Sequence, residues 1–373
     1  MRILQWAGIL LAATSLLATG SVRGESQPTA SRLIIGADIS ALPSLERFGA
    51  VYRDGGKPGD ALKILSALGC NLYRVRLFVN PDPRFARTGG AVQDLAYVIA
   101  LAKRIKASGG QFMLDIHYAD NWADPGHQPT PRAWQNLEFP AMEKQVHDYT
   151  RDVLKACAAA SVTPDIVQVG NEITAGILWP TAQLDKAQGP QEHEQWRKFA
   201  RLLNAGCSAV REQSTPATPI RIVLHVDGGG RDVPVWFFQK LSQTPVDFDI
   251  IGLSFYPAWR DSIDQLKQNM SDLIRAYNKD ILLCETSYPW KPIGVKTPAM
   301  TWPETPVGQQ KFLQDLTQAL RADPNGHGLG YVWWYPEAIP LKGQHIWRGG
   351  GEAWFDSQGN LLPGAEFLRA PGQ

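Results

Sequence analysis

The stretch IVQVGNEITAGILWP, residues 166–180, decides the fold. It opens on an apolar, β-branched run, Ile166 to Val169, broken only by Gln168. A strand with so few polar positions is covered on both faces, as strands of parallel sheets are. Gly170 ends the run, and Asn171 and Glu172 follow at once. Either this pair caps the next element, or the strand is a rigid mount for a carboxylate that does chemistry.

The pattern recurs along the chain. Strands are expected at 33–40, 71–79, 111–118, 165–172, 220–227, 248–256, 280–286 and 329–335. Helical periodicity fills the gaps. KPGDALKILSALG places Leu62, Ile64, Leu65 and Leu68 on an apolar face and stops at Gly69, and DLAYVIALAKRIKASGG ends on basic residues and two glycines. Further helices are expected near 140–160, 193–211, 262–277 and 307–321. Eight strands alternating with helices predict a single (β/α)8 barrel with elaborated loops at the C-terminal face of the strands. An open doubly wound sheet would need a reversal of strand order that nothing in the sequence signals.

The whole chain has 373 residues, 44% of them apolar, which suffices for a large core. Its formal net charge is +1, without long runs of one sign, so neither nucleic acid nor an anionic membrane is indicated as partner. Thirteen tryptophans supply flat apolar area suited to sugar rings, though a large barrel also packs several of them. Residues 1–24 carry Arg2, an apolar stretch and then small residues, the pattern of a secretory signal. Residues 25–32 read as a short flexible lead and 33–373 as the catalytic domain, secreted or periplasmic and expected to work as a monomer. The four cysteines, Cys70, Cys157, Cys207 and Cys284, lie inside apolar patterns and are expected to be mostly buried thiols.

A barrel gathers its reactive residues at the C-terminal ends of the strands. Those ends carry Asp38, Arg74 and Arg76, His117, Asn171 and Glu172, Asp227, Tyr256, Glu285, and Trp333 and Trp334. Two are glutamates, on the fourth and seventh strands, which can face each other across the mouth. Opposed carboxylates suit glycoside hydrolysis, one protonating the leaving oxygen and the other attacking the anomeric carbon from about 5–5.5 Å away in the retaining geometry. Arginine near Glu285 would lower its pKa, and the Tyr256 hydroxyl could orient it. Asn171 could bind a sugar hydroxyl. A second glutamate at a matching strand end favours the mount over the cap.

The motifs GADIS (36–40), RVRLFVNP (74–81), DIHYADNWADPGHQ (115–128), QVGNEITAGILWP (168–180), DIIGLSFYPAW (249–259) and LLCETSYPW (282–290) together resemble glycoside hydrolase family 53, the arabinogalactan endo-β-1,4-galactanases. The resemblance spans 33–365. It implies Glu172 as acid/base, Glu285 as nucleophile, no cofactor, and β-1,4-galactan or a related plant cell-wall polysaccharide as substrate. It also implies sugar contacts from Trp122 and Trp334, alongside Asp38, Arg74, Arg76, His117, Asp120, Asn171 and Tyr256. Phe78 stands where the family commonly has Trp. Trp334-Tyr335-Pro336 replaces Trp-Glu-Pro, with Glu337 two positions on, and Trp354 replaces an aliphatic residue. Some bacterial members carry calcium in the loop after the eighth strand. The loop here, 337–353, has no Asp cluster, and no metal is expected. Three rivals remain: a metal site built from His117, Asp120, Asp124 and His127, a non-catalytic sugar-binding barrel, and a retaining β-glycanase of the same clan acting on another β-1,4-glycan such as β-mannan or β-glucan.

Overall fold

The computed structural model describes residues 33–369, apart from 83, 85–90, 185–188 and 324. The export signal and the lead expected over 1–32 lie outside the described residues. Eight parallel strands close into a barrel: β1 (Ile34–Asp38), β2 (Leu72–Leu77), β3 (Gln111–Ile116), β4 (Ile166–Val169), β5 (Arg221–Val226), β6 (Ile250–Phe255), β7 (Asp280–Thr286) and β8 (Gly328–Trp334). Each strand pairs with its neighbours in sequence, and β1 pairs with β8 to close the ring.

Side chains alternate along each strand between the barrel axis and the helical shell. The lower interior holds Leu72, Met113, Ile166, Val223, Ile250, Leu282, Cys284 and Val332. Crowding there selects glycine at position 252, where a Cβ would stand 2.6 Å from both Cys284 Sγ and Val223 Cγ1. The outward set, such as Tyr73, Val75, Leu114, Val167 and Leu224, packs against the helices in one continuous core. Burying each such aliphatic side chain is worth roughly 1.5–3 kcal/mol, so the barrel wall is stabilised from both faces.

The expected helices are present. Asp60, Asp94, Ser262 and Thr305 cap theirs by accepting from the backbone N–H of Lys63, Tyr97, Gln265 and Gly308. The 193–211 helix begins earlier and runs Pro190–Gln213. The sequence reading missed short helices at Leu42–Arg47, Val233–Leu241 and Pro363–Glu366. All four cysteines are buried and unpaired.

Two departures from regular strand geometry set the site. At the tip of β4, Gly170 has φ 83° and Glu172 φ 45°, so the chain turns sharply through left-handed backbone. A Cβ at Gly170 would meet Ile173 Cγ2 at 2.6 Å, and glycine avoids both the clash and the strain. In β7 the pairing with β6 slips by one residue: Leu253 aligns with Leu283, but Ser254 aligns with Glu285. Cys284 is the extra residue of this bulge. Strict alternation would send Glu285 toward the helices when Cys284 faces the axis, and the bulge re-aims it into the mouth.

Candidate active site

Glu172 and Glu285 line one cavity of about 710 Å³ at the C-terminal mouth. Their surroundings differ. Glu285 lies 2.9 Å from Arg74 Nη1 through Oε1, an ion pair off the hydrogen-bond line, and Tyr256 Oη donates to its Oε2 at 3.0 Å. Among the described residues no cation pairs with Glu172; Ser254 Oγ donates to its Oε1 at 2.7 Å.

Burial pushes Glu285 up to about 7, opposed by the Arg74 charge and the Tyr256 hydrogen bond and assisted by Asp38 and Asp115. Arginine therefore acts in the direction expected from sequence, but loss of water outweighs it. Burial also lifts Glu172 well above the ordinary carboxylate range, and the Glu285 charge adds to this, with the Ser254 bond as counterweight. The pair is thus poised for one carboxyl to keep its proton while the other, held by a cation and a phenol, ionises first.

Beneath the glutamates lies a buried polar layer. Arg74, fully buried, reaches Asp38 Oδ2 through Nη1 and Asp115 Oδ2 through Nη2, each at 2.9 Å, in addition to Glu285. Its Nε donates to Gln168 Oε1 at 3.1 Å, and Gln168 Nε2 donates to Asp115 Oδ1 at 2.7 Å. Burial alone would raise Asp115, yet Arg74 and His117 hold it below its usual value. Asp38, Arg74 and His117 were expected at the sugar. They lie under the floor instead, 0%, 0% and 2% exposed, because a cation placed among three carboxylates is most effective away from water. Asn171 does reach the cavity. Its Oδ1 accepts from Arg74 Nη2 at 2.7 Å and its Nδ2 donates to Ala123 O at 2.8 Å, tying β4 to the loop after β3.

Aromatic faces and Arg76 form one wall. The Arg76 guanidinium stacks 4.4 Å over Trp122 and 5.3 Å over Trp334, and its Nη2 donates to Tyr335 Oη at 2.5 Å. Phe78, the departure from the usual Trp, is fully buried behind Trp122 with ring centroids 5.7 Å apart. Glu337 is not at the cavity wall. It is fully buried, its Oε1 accepts from Ala41 N at 3.3 Å, and burial pushes it up to about 8.

Asp120 is not brought to the cavity either. Its Oδ2 accepts from Arg132 N at 2.9 Å and so braces the loop after β3. The four residues of the metal rival do not converge: His117 lies 3.0 Å from Asp115, Asp120 is held by Arg132, and Asp124 pairs with His127 at 3.1 Å. Among the described residues no group of three or more His, Cys, Asp or Glu side chains is placed to hold a metal ion.

The sequence reading missed Trp259, Trp347, Arg231 and Asp261 on the cavity wall, and Asp115, Gln168, His225 and Ser254 around and beneath the glutamates. Trp259 stands three residues past Tyr256 and was legible as a strand-end aromatic.

A closed parallel barrel with two unlike glutamates, Glu285 buried and Glu172 half-buried, and tryptophan faces at its C-terminal mouth defines a glycoside hydrolase. The glycosyl hydrolase family 53 model matches residues 34–368, and the chain belongs to that family. It is 33% identical to the arabinogalactan endo-β-1,4-galactanase of Cellvibrio japonicus, covering 98% of this chain and 97% of that protein. Against the endo-β-1,4-galactanase of Bacillus subtilis the identity is 31%, over 87% of this chain and 76% of the relative. The Ignisphaera aggregans GH53 catalytic domain superposes with a TM-score of 0.81 at 32% identity, covering 92% of this chain and 97% of that structure.

Proposed function

We propose that the protein is an endo-acting β-1,4-galactanase that cleaves galactan, including the type I arabinogalactan side chains of pectin, with retention of configuration. The unequal surroundings of the two glutamates carry this reading. Glu172, kept protonated by burial and by the neighbouring negative charge, donates to the departing glycosidic oxygen. Glu285, ionised beside Arg74 and oriented by Tyr256, attacks the anomeric carbon, giving a galactosyl ester. Glu172, now a carboxylate, takes a proton from water, which attacks the same carbon and frees Glu285. Trp122 and Trp334 offer apolar faces for sugar rings, and Arg76, Asn171 and Tyr256 offer polar groups at the wall. The relatives' names motivate galactan. Residues 1–24 are read as a signal that exports the enzyme, which then acts as a monomer outside the cytoplasm.

The test compares reducing ends released from β-1,4-galactan, β-1,4-mannan and cellulosic glucan. Release from galactan alone is expected, and release only from mannan or glucan overturns the substrate reading. Glu285→Gln should lose turnover by orders of magnitude while still binding galacto-oligosaccharide. A wild-type protein that binds but never cleaves would favour the sugar-binding barrel.

A further inference from the structure

We infer that His225 and Ser254 form a one-way hydrogen-bond loop that commits Oε1 of Glu172 to the protein and leaves Oε2 as the atom that delivers and recovers the proton. This rests on the reading of Glu172 as acid/base.

The loop starts and ends on the same residue. The backbone N–H of Glu172 points at His225 Nδ1 at 3.4 Å. His225 Nε2 lies 2.9 Å from Ser254 Oγ, and Ser254 Oγ donates to Glu172 Oε1 at 2.7 Å. The direction follows from the groups that face Nδ1. The Glu172 N–H and Gln168 Nε2, the latter at 3.1 Å, can only donate, and both converge on it. Asn171 Oδ1, 3.0 Å from Nδ1, takes its hydrogen from Arg74 Nη2 at 2.7 Å. Nδ1 therefore accepts, the ring proton sits on Nε2, and Nε2–H donates to Ser254. The Ser254 oxygen is thereby occupied as acceptor, so its own hydrogen goes to Glu172.

His225 holds this tautomer without becoming a cation. It is fully buried, and burial together with Arg74 keeps it neutral, against the pull of Asp115; His117 also faces it. Glu172 itself faces Glu285, Asp227 and Asp124, all of which favour its protonated form. Against them, the Ser254 hydrogen favours the ionised form. Without it, Glu172 would be a poor base in the second half of the reaction. The loop also fixes the carboxyl plane against a left-handed backbone that would otherwise have to be held by packing alone. Ser254 and His225 are positioning residues, since they act through Glu172.

The test is the pH dependence of kcat/KM on β-1,4-galactan. Ser254→Ala removes the donor that stabilises ionised Glu172, so the alkaline limb should move up by roughly one pH unit. Ser254→Thr, which keeps the hydroxyl, should restore it. His225→Phe, which keeps the ring and loses the donor, should shift the limb in the same direction by less. A folded Ser254→Ala enzyme with an unmoved alkaline limb overturns the inference, and so does an unmoved limb in His225→Phe. Glu172→Gln separates this failure from failure of the underlying reading. A Glu172→Gln enzyme still turning over galactan removes Glu172 as the acid, whereas an inactive one beside an unmoved Ser254→Ala limb rejects only the loop.

Discussion

Replacing Tyr256 with Phe isolates one hydrogen bond to the proposed nucleophile. The hydroxyl donates to Glu285 Oε2 at 3.0 Å and favours the ionised carboxylate. A hydrogen bond to a charged group contributes about 1.5–3 kcal/mol. Arg74 stays at 2.9 Å from the other oxygen, so the lower end of that range applies. At about 1.4 kcal/mol per pKa unit, Glu285 should titrate about one unit higher in the variant. The sign then fixes the phenotype. Attack requires ionised Glu285, so the acid limb of kcat/KM moves upward. Well below that limb the variant should be about tenfold slower than the wild type, because a one-unit shift changes the ionised fraction tenfold. Well above it, both enzymes hold Glu285 ionised and the deficit should shrink to whatever orientation costs. Initial rates of reducing-end release across the pH range, at subsaturating galactan, measure this directly. A deficit equal at every pH, with the acid limb unmoved, would refute the assignment of Tyr256 as the group that tunes Glu285.

Two further outcomes follow from the packing. Glu337 titrates near 8 when folded, against an ordinary value of 4.5, so the unfolded chain binds fewer protons between those values and stability must fall as pH rises through them. Glu337→Gln should abolish that slope, its melting temperature gaining on the wild type between pH 5 and pH 8; parallel melting curves would contradict it. Gly252→Ala places a Cβ 2.6 Å from Cys284 Sγ, at the bulge that aims Glu285, and should cost about 1–3 kcal/mol in denaturant unfolding together with a fall in kcat.

The barrel was readable because buried parallel strands are apolar on both faces and their polar tips stand out. Seven of the eight strands fall within the segments so marked, and β8 begins one residue earlier, at Gly328. The tips also exposed Glu172, Glu285, Tyr256, Arg76 and Trp334, which line one cavity. The layer beneath was not readable in the same way. Asp115, Gln168 and His225 sit inside apolar strands and look like isolated core polar groups. That Asp115 and Gln168 sit side by side becomes visible only through the register, in which they align, and His225 joins them through contact with Gln168 Nε2 at 3.1 Å. Asp38, Arg74 and His117 show the converse error. A strand-end position gives the level of a side chain in the barrel but not whether another residue covers it. Asp120 belongs to a loop, where no periodicity fixes direction. The short helix Val233–Leu241 was hidden by a Pro-Val-Trp-Phe-Phe run without helical spacing.

The extra residue in β7 makes reading frame, in the geometric sense, a determinant of chemistry. Removing one residue from 282–284 would leave the Glu-Thr-Ser-Tyr text intact for any motif search. It would also rotate that glutamate by half a pleat, away from Arg74 and into the hydrocarbon between barrel and helices. Such a chain would still look like a member of its family on paper while having lost the proposed nucleophile. Screening relatives for the spacing between the Ser254-type and Glu285-type positions, not for the presence of the glutamate alone, would separate working barrels from inert ones.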